Sequence, residues 1–119
     1  MKILIVEDDP SHLKLAHSVL SAAGFVVNGV DAAEPALAAI KNDKPRLILM
    51  DLGLPDMDGL SLARMLKGDP ATSDIHIVAV TAQLERFPQK EALAAGCAAF
   101  IIKPIDTRTL PGQLEPYLK

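Results

Sequence analysis

At 119 residues, with half of them hydrophobic and 23% charged, the chain has the length and composition of one folded domain with an ordinary core. A net charge of −3, no Trp and no Lys/Arg cluster argue against a nucleic-acid surface, and the lone Cys97 excludes an internal disulfide or a paired-cysteine metal site. The opening MKILIVED is too short for a secretion signal and no apolar run nears the ~18 residues of a membrane span, so a cytoplasmic protein with no membrane contact is expected.

Five apolar runs rich in branched aliphatic residues read as strands: Ile3 to Val6, Phe25 to Val30, Leu47 to Met50, Ile75 to Val80 and Ala98 to Ile102. After the first, Pro10 opens a helix with Leu13, Ala16, His17 and Leu20 near one stripe, and Gly24 stands where helices commonly stop. Asp31 is placed to cap a second helix that runs through Ile40, with Pro35 in its first turns. Asp58 caps a third, in which Leu60, Ala63 and Leu66 repeat at helical spacing, and Pro88 suits the first turn of a fourth that reaches Ala95 before Gly96. The last segment holds Pro111, Gly112 and Pro116; with Thr109 as cap, Pro111 falls in a tolerated position, but Pro116 removes a later hydrogen bond. A short, kinked last helix is expected there.

Strand and helix therefore alternate strictly, and the runs ILIV, LILM and IHIVAV are almost continuously apolar, as strands covered on both faces are. This predicts an α/β fold, a doubly wound parallel sheet of five strands flanked by helices with right-handed crossovers, over residues 1–119. Ligands of such sheets bind beyond the carboxyl ends of the strands. The first strand delivers Glu7, Asp8 and Asp9 there, the third Asp51, the fourth Thr81 and Ala82, and the fifth Lys103 followed by Pro104.

Carboxylates arriving from two strands make an oxygen-rich site for Mg²⁺, which takes one or two carboxylates and keeps several waters. Unpaired, they repel; that raises at least one pKa, and the metal and the Lys103 ammonium offset it. A phosphoryl group on Asp51 would meet the metal, the Thr81 hydroxyl and Lys103 from three directions. Asp51 is the one carboxylate expected between metal and ammonium, which makes it the candidate nucleophile and phosphoacceptor.

The four segments VEDD (6–9), MDLGLPDMDG (50–59), VTA (80–82) and IKP (102–104) together resemble the receiver domain of two-component response regulators, and the resemblance spans the whole chain. It implies the flavodoxin-like (βα)5 receiver fold. It also implies Mg²⁺ held by the Asp8 and Asp51 side chains and the Gly53 carbonyl, with Glu7 helping directly or through water, and leaves Asp9 free. Asp51 would take its phosphoryl group from a phosphohistidine on a sensor histidine kinase or a histidine phosphotransfer protein. Thr81 and Phe100 would be the switch pair, Lys103 would hold the phosphate, and the Lys103–Pro104 bond would be cis. The resemblance further implies no enzyme acting on separate substrates, only Mg²⁺-dependent self-phosphorylation and autodephosphorylation at Asp51. Its output would be contact with a downstream protein through the fourth helix, fifth strand and fifth helix, and kinase docking would use the first helix, whose His12, Leu13 and neighbours adjoin the Asp51 site. The oligomeric state is left open.

Taken singly, each residue has a plainer role: Asp8 or Asp9 as a cap, Thr81 as a strand-end hydroxyl, Lys103 as a solvated lysine, Phe100 as core, and His12, His17 and His76 as surface or packing residues without zinc spacing. Their joint arrival at the right strand ends is what points to a site. A haloacid dehalogenase-like phosphohydrolase also uses an aspartyl nucleophile, but it needs an acid two residues on, where this chain has Gly53. A receiver that binds without being phosphorylated would have no use for a buried charge cluster. A receiver cut from a hybrid kinase or longer regulator is the remaining alternative.

Overall fold

The computed structural model describes residues 2–118; Met1 and Lys119, the ends of the expected domain, lie outside the described residues. The elements are β1 (Lys2–Val6), α1 (Pro10–Ala22), β2 (Val26–Val30), α2 (Ala33–Asn42), β3 (Leu47–Asp51), α3 (Gly59–Gly68), β4 (His76–Thr81), α4 (Gln89–Ala94), β5 (Ala99–Ile102) and α5 (Leu110–Leu114), with a 3-10 turn over Glu115–Tyr117. All strand pairs are parallel, in the order β2-β1-β3-β4-β5. The chain steps outward from β1 to β2 and then, from β3 on, in the opposite direction. The crevice of this reversal lies above the ends of β1 and β3.

Because side chains alternate along a strand, the three central strands feed two cores. Leu4, Val6, Ile48, Met50, Ile77 and Ala79 pack on the face covered by α2, α3 and α4. Ile3, Ile5, Leu47, Leu49, Val78 and Val80 pack on the face covered by α1 and α5. The nearly continuous apolar runs ILIV, LILM and IHIVAV belong to the three strands with a neighbour on each side, as expected of doubly covered strands.

Helix ends show where local reading succeeded and where it did not. Asp9 caps α1, its Oδ1 accepting from the backbone of Ser11 at 2.9 Å and His12 at 3.3 Å. Asp58 caps α3 through the Leu60 N–H at 2.7 Å. Asp31 does not cap α2: Ala32 takes the extended capping conformation, which leaves Asp31 one residue too early. The cap comes instead from across the fold, where Asp56 accepts from Ala33 N–H at 2.8 Å and Glu34 N–H at 2.9 Å. His17 is exposed rather than on the α1 stripe, and its Nδ1 lies 3.3 Å from Ser21 Oγ. The last helix is short as expected, and the chain tightens to the 3-10 turn where Pro116 removes an N–H. Thr109 precedes it without a side-chain cap.

Candidate functional site

Extending the strand alternation past the strand ends shows what the crevice receives. Glu7, Asp51 and Lys103 follow Ile5, Leu49 and Ile101 by two residues, so all three point to the α1 side of the sheet. Thr81 follows Ala79 in the same way and points to the α4 side, which is also the side on which Phe100 packs, half-buried. Backbone bonds continue the ladders beyond the strands and fix these heights: Glu7 N–H to Val30 O at 3.0 Å, Leu52 N–H to Val80 O at 3.2 Å, and Lys103 N–H to Thr81 O at 3.0 Å. The Lys103–Pro104 peptide is cis, as the resemblance implied.

The loop after β3 folds back tightly. Gly59 donates to Leu52 O at 2.9 Å, and a Cβ at Gly59 would meet Leu52 Cα at 2.6 Å and Asp51 O at 3.0 Å. Only glycine lets the start of α3 sit against the strand end that carries Asp51. Within that loop the Gly53 N–H donates to Asp51 Oδ1 at 3.0 Å, so one carboxylate oxygen of Asp51 is held by backbone.

Lys103 Nζ lies 3.0 Å from Asp51 Oδ2 and 2.5 Å from Glu7 Oε1, with all three side chains mostly buried. This corrects one expectation: Asp51 is not the one carboxylate facing the ammonium, because Glu7 shares it. The geometric cause is the shared parity of Glu7 and Asp51 on adjacent strands. Glu7, Asp8 and Asp51 each offer a carboxylate oxygen, all within 4.8 Å of one another. Three carboxyl groups gathered around one ammonium make a net acidic cluster of oxygen donors, which suits a hard divalent cation. Thr81 is buried, its Oγ1 accepting from Gln83 N–H at 2.9 Å with its own proton free to donate. Asp9 is spent on capping α1, the plainer role weighed for it in the sequence.

The repulsion settles on Glu7. Burial, and after it the neighbouring Asp51, push its carboxyl up to about 7, against the pull of Lys103. Burial would also raise Asp51, but hydrogen bonds with Glu7, Gly53 N–H and Lys103 outweigh it and hold Asp51 below the ordinary carboxylate range. Burial works against the charge on Lys103 too, and its two carboxylate partners more than compensate, so its pKa is raised. Asp51 is therefore the more readily ionised member of the pair.

One residue was placed only next to this site from sequence, and another was not picked out at all. His12, expected on the docking helix adjoining Asp51 and without a role of its own, puts Nδ1 3.3 Å from Lys103 Nζ and 3.6 Å from Glu7 Oε1. Its signal was available, since a helix starting at Pro10 presents its first turn to the strand ends. Asp56 bridges the loop after Asp51 to α2, a contact 23 residues distant in sequence that no local pattern reveals. The charged cluster and His12 form one wall of a cavity of about 320 Å³, whose apolar walls include Ile5, Leu15, Leu49, Val80 and Ile105.

A family model for the response regulator receiver domain matches residues 3–115. The chain is 36% identical over 105 residues to the response regulator PleD of Caulobacter vibrioides, a match that takes in 88% of this chain and 23% of PleD. It thus spans about a quarter of that relative's length. To the polar-differentiation response regulator DivK of Brucella ovis it is 32% identical over 116 residues, covering 98% of this chain and 94% of DivK. Its fold superposes with a TM-score of 0.88, at 27% identity and with 98% and 96% of the two chains covered, on the receiver domain of a sensor histidine kinase from Pseudomonas aeruginosa, whose crystal structure has a magnesium ion coordinated in the active site cleft. On this sequence match and this arrangement of strand-end residues, the chain belongs to the response regulator receiver domain family of two-component signal transduction.

Proposed function

We propose that the chain, as one domain over residues 1–119, is a phosphoacceptor switch in which Asp51 takes a phosphoryl group from a phosphohistidine. The observation that carries this reading is the Lys103 ammonium at 3.0 Å from an ionised Asp51 inside a cluster of three carboxylates. An Asp51 oxygen attacks phosphorus, the P–N bond to the donor imidazole breaks, and the phosphoryl group becomes an acyl phosphate on the side chain. Asp8, Asp51, Glu7 and the Gly53 carbonyl are the groups that would hold Mg²⁺. The ion would supply positive charge to the phosphoryl oxygens.

Lys103 pairs with one phosphoryl oxygen, and the free proton of the Thr81 hydroxyl goes to another. As that hydroxyl is drawn over, Phe100 on the same face moves into the space behind it, and the α4-β5-α5 surface changes. Such a change needs modest energy, since moving a two-state equilibrium from 1:99 to 99:1 takes about 5.5 kcal/mol. The donor is a sensor histidine kinase or a histidine phosphotransfer protein docking on α1, and the output is contact with a downstream protein. No helix of the described residues is long and apolar enough to cross a membrane, in keeping with work in the cytoplasm. Signal decay occurs by hydrolysis of the acyl phosphate. The Gln83 amide helps to shape that step: its Nε2 stands 3.0 Å from where a Cβ of Gly53 would be, so it fills the space a side chain there would take.

Incubation with Mg²⁺ and acetyl phosphate followed by intact-mass measurement tests the reading. One added phosphate on the native chain, absent in Asp51→Asn and absent without Mg²⁺, is expected. An Asp51→Asn chain that still gains phosphate would sink it.

A further inference from the structure

Lysine carries three N–H donors and no acceptor, and all three donors of Lys103 have a partner within reach. Glu7 Oε1 lies at 2.5 Å, Asp51 Oδ2 at 3.0 Å and His12 Nδ1 at 3.3 Å. Since the ammonium can only donate, Nδ1 accepts, and the ring proton sits on Nε2, 3.9 Å from the Asp9 carboxylate. Asp9 is itself fixed as the cap of α1. The ring thus lies between the first turn of the helix and the lysine, with its hydrogen-bonding contact on the Nδ1 side.

The three acceptors are not equivalent. Glu7 and Asp51 are the groups proposed to face the cation and the phosphoryl group, so their bonds to Lys103 must loosen when either arrives. His12 belongs to neither set; it lies on the solvent side, half-exposed, while the two carboxylates are mostly buried. We infer that His12 is a positioning residue that holds the Lys103 ammonium at the mouth of the crevice, where a phosphoryl oxygen arrives, rather than letting it withdraw onto Glu7. The inference rests on the reading of Asp51 as phosphoacceptor, and deepens it by naming the residue that keeps the phosphate-binding cation in place.

The geometry makes a discriminating substitution series. Asn places a side-chain oxygen near the position of Nδ1, whereas Gln reaches to the position of Nε2, beside Asp9. With saturating Mg²⁺ and acetyl phosphate, a donor too small to dock on α1, His12→Ala is expected to slow phosphorylation about fivefold, the value of one modest hydrogen bond. His12→Asn restores the rate to within about twofold, and His12→Gln stays slow. The circular dichroism spectrum is unchanged in all three, and in a Lys103→Ala background the His12 substitution has no further effect. An unchanged rate in His12→Ala, an Asn variant as slow as Ala, or a His12 effect that survives loss of Lys103 each overturns the inference while leaving Asp51 as phosphoacceptor. A native chain that gains no phosphate overturns both.

Discussion

Helices α1, α2 and α3 span 13, 10 and 10 residues, and a carboxylate satisfies the first N–H groups of each; α4 and α5 span 6 and 5 residues, and neither has a side-chain cap. The site straddles this divide. Glu7, Asp8 and Asp51 rise from the half with long, capped helices, while Thr81, Phe100 and Lys103 belong to strands β4 and β5 and the segments after them, flanked by the short ones. Ligands for a cation gain from a rigid frame, and residues that must move gain from elements whose rearrangement disturbs few bonds. Lys103 is the link, its backbone in the second half and its ammonium between two acids of the first.

Cutting that link has the largest expected effect. Lys103→Met should slow phosphorylation by acetyl phosphate about a hundredfold, because a preorganised charge at the reacting oxygens is lost. A loss under about fivefold would mean the two halves are not joined through the lysine. A more direct probe of the contrast is amide hydrogen exchange. The amides of α4 (Gln89–Ala94) should exchange at least about tenfold faster than those in the middle of α3 (Gly59–Gly68) in the unphosphorylated chain. Equal protection would remove the distinction between a fixed and a yielding half.

The acid side has its own signature. Glu7 is raised from 4.5 to about 7, so the folded chain holds this proton more tightly than the unfolded chain does. Its contribution to stability is complete below pH 4.5 and is lost as pH rises toward 7. Asp51, lowered, acts with the opposite sign and only at more acidic pH, where its contribution is lost as pH falls through its folded value. Melting temperature without Mg²⁺ should therefore fall across that upper window, and Glu7→Gln should flatten it. Mg²⁺ competes with the proton, so its affinity should climb up to about tenfold per pH unit below 7. A pH-independent affinity would show that Glu7 stays out of the cation site.

Asp56 tests how the frame is held. It pins the loop carrying Gly53 to the start of α2, so Asp56→Ala should weaken Mg²⁺ about threefold and lower the melting temperature by roughly 4 °C, while Asp56→Asn keeps most of both. Its role marks the boundary of what the chain's order makes legible. The fold was readable because the three nearly unbroken apolar runs can be satisfied only between two layers of helices, and the site because Glu7, Asp51, Thr81 and Lys103 each stand at the end of a strand. Asp9 and Asp58 announce themselves, since each stands beside the helix it caps. Asp56 does not, because the N–H groups it satisfies belong to a helix 23 residues earlier. The sharing of Lys103 between Glu7 and Asp51 was equally hidden, for spacing gives the height of a residue on its strand but not the reach of a long side chain.

The smallest expected effect concerns the start of α4, where Pro88 stands at the cap and Phe87 before it is fully buried. Phe87 and Ala92, both in the same core cluster, take the positions of a hydrophobic staple, which explains how a helix of 6 residues is anchored without a polar cap. Glu91 is already three residues past the cap, so Pro88→Ser would complete a capping box: the Ser hydroxyl accepts from the Glu91 N–H, and the Glu91 carboxylate reaches the new N–H at 88. The backbone at 88, with φ −65° and ψ 147°, suits serine. A cap contributes about 1 kcal/mol, and removing a proline returns ~0.4–1 kcal/mol of entropy to the unfolded chain, so the melting temperature should stay within about 2 °C. Exchange of the α4 amides should nonetheless slow a few-fold, because the cap acts on the helix and the proline term acts on the unfolded chain. If the yielding half matters to the switch, this variant should bind an α4-β5-α5 partner with a smaller difference between its phosphorylated and unphosphorylated forms, at unchanged phosphorylation rate; an undiminished difference would assign the conformational response to Thr81 and Phe100 alone.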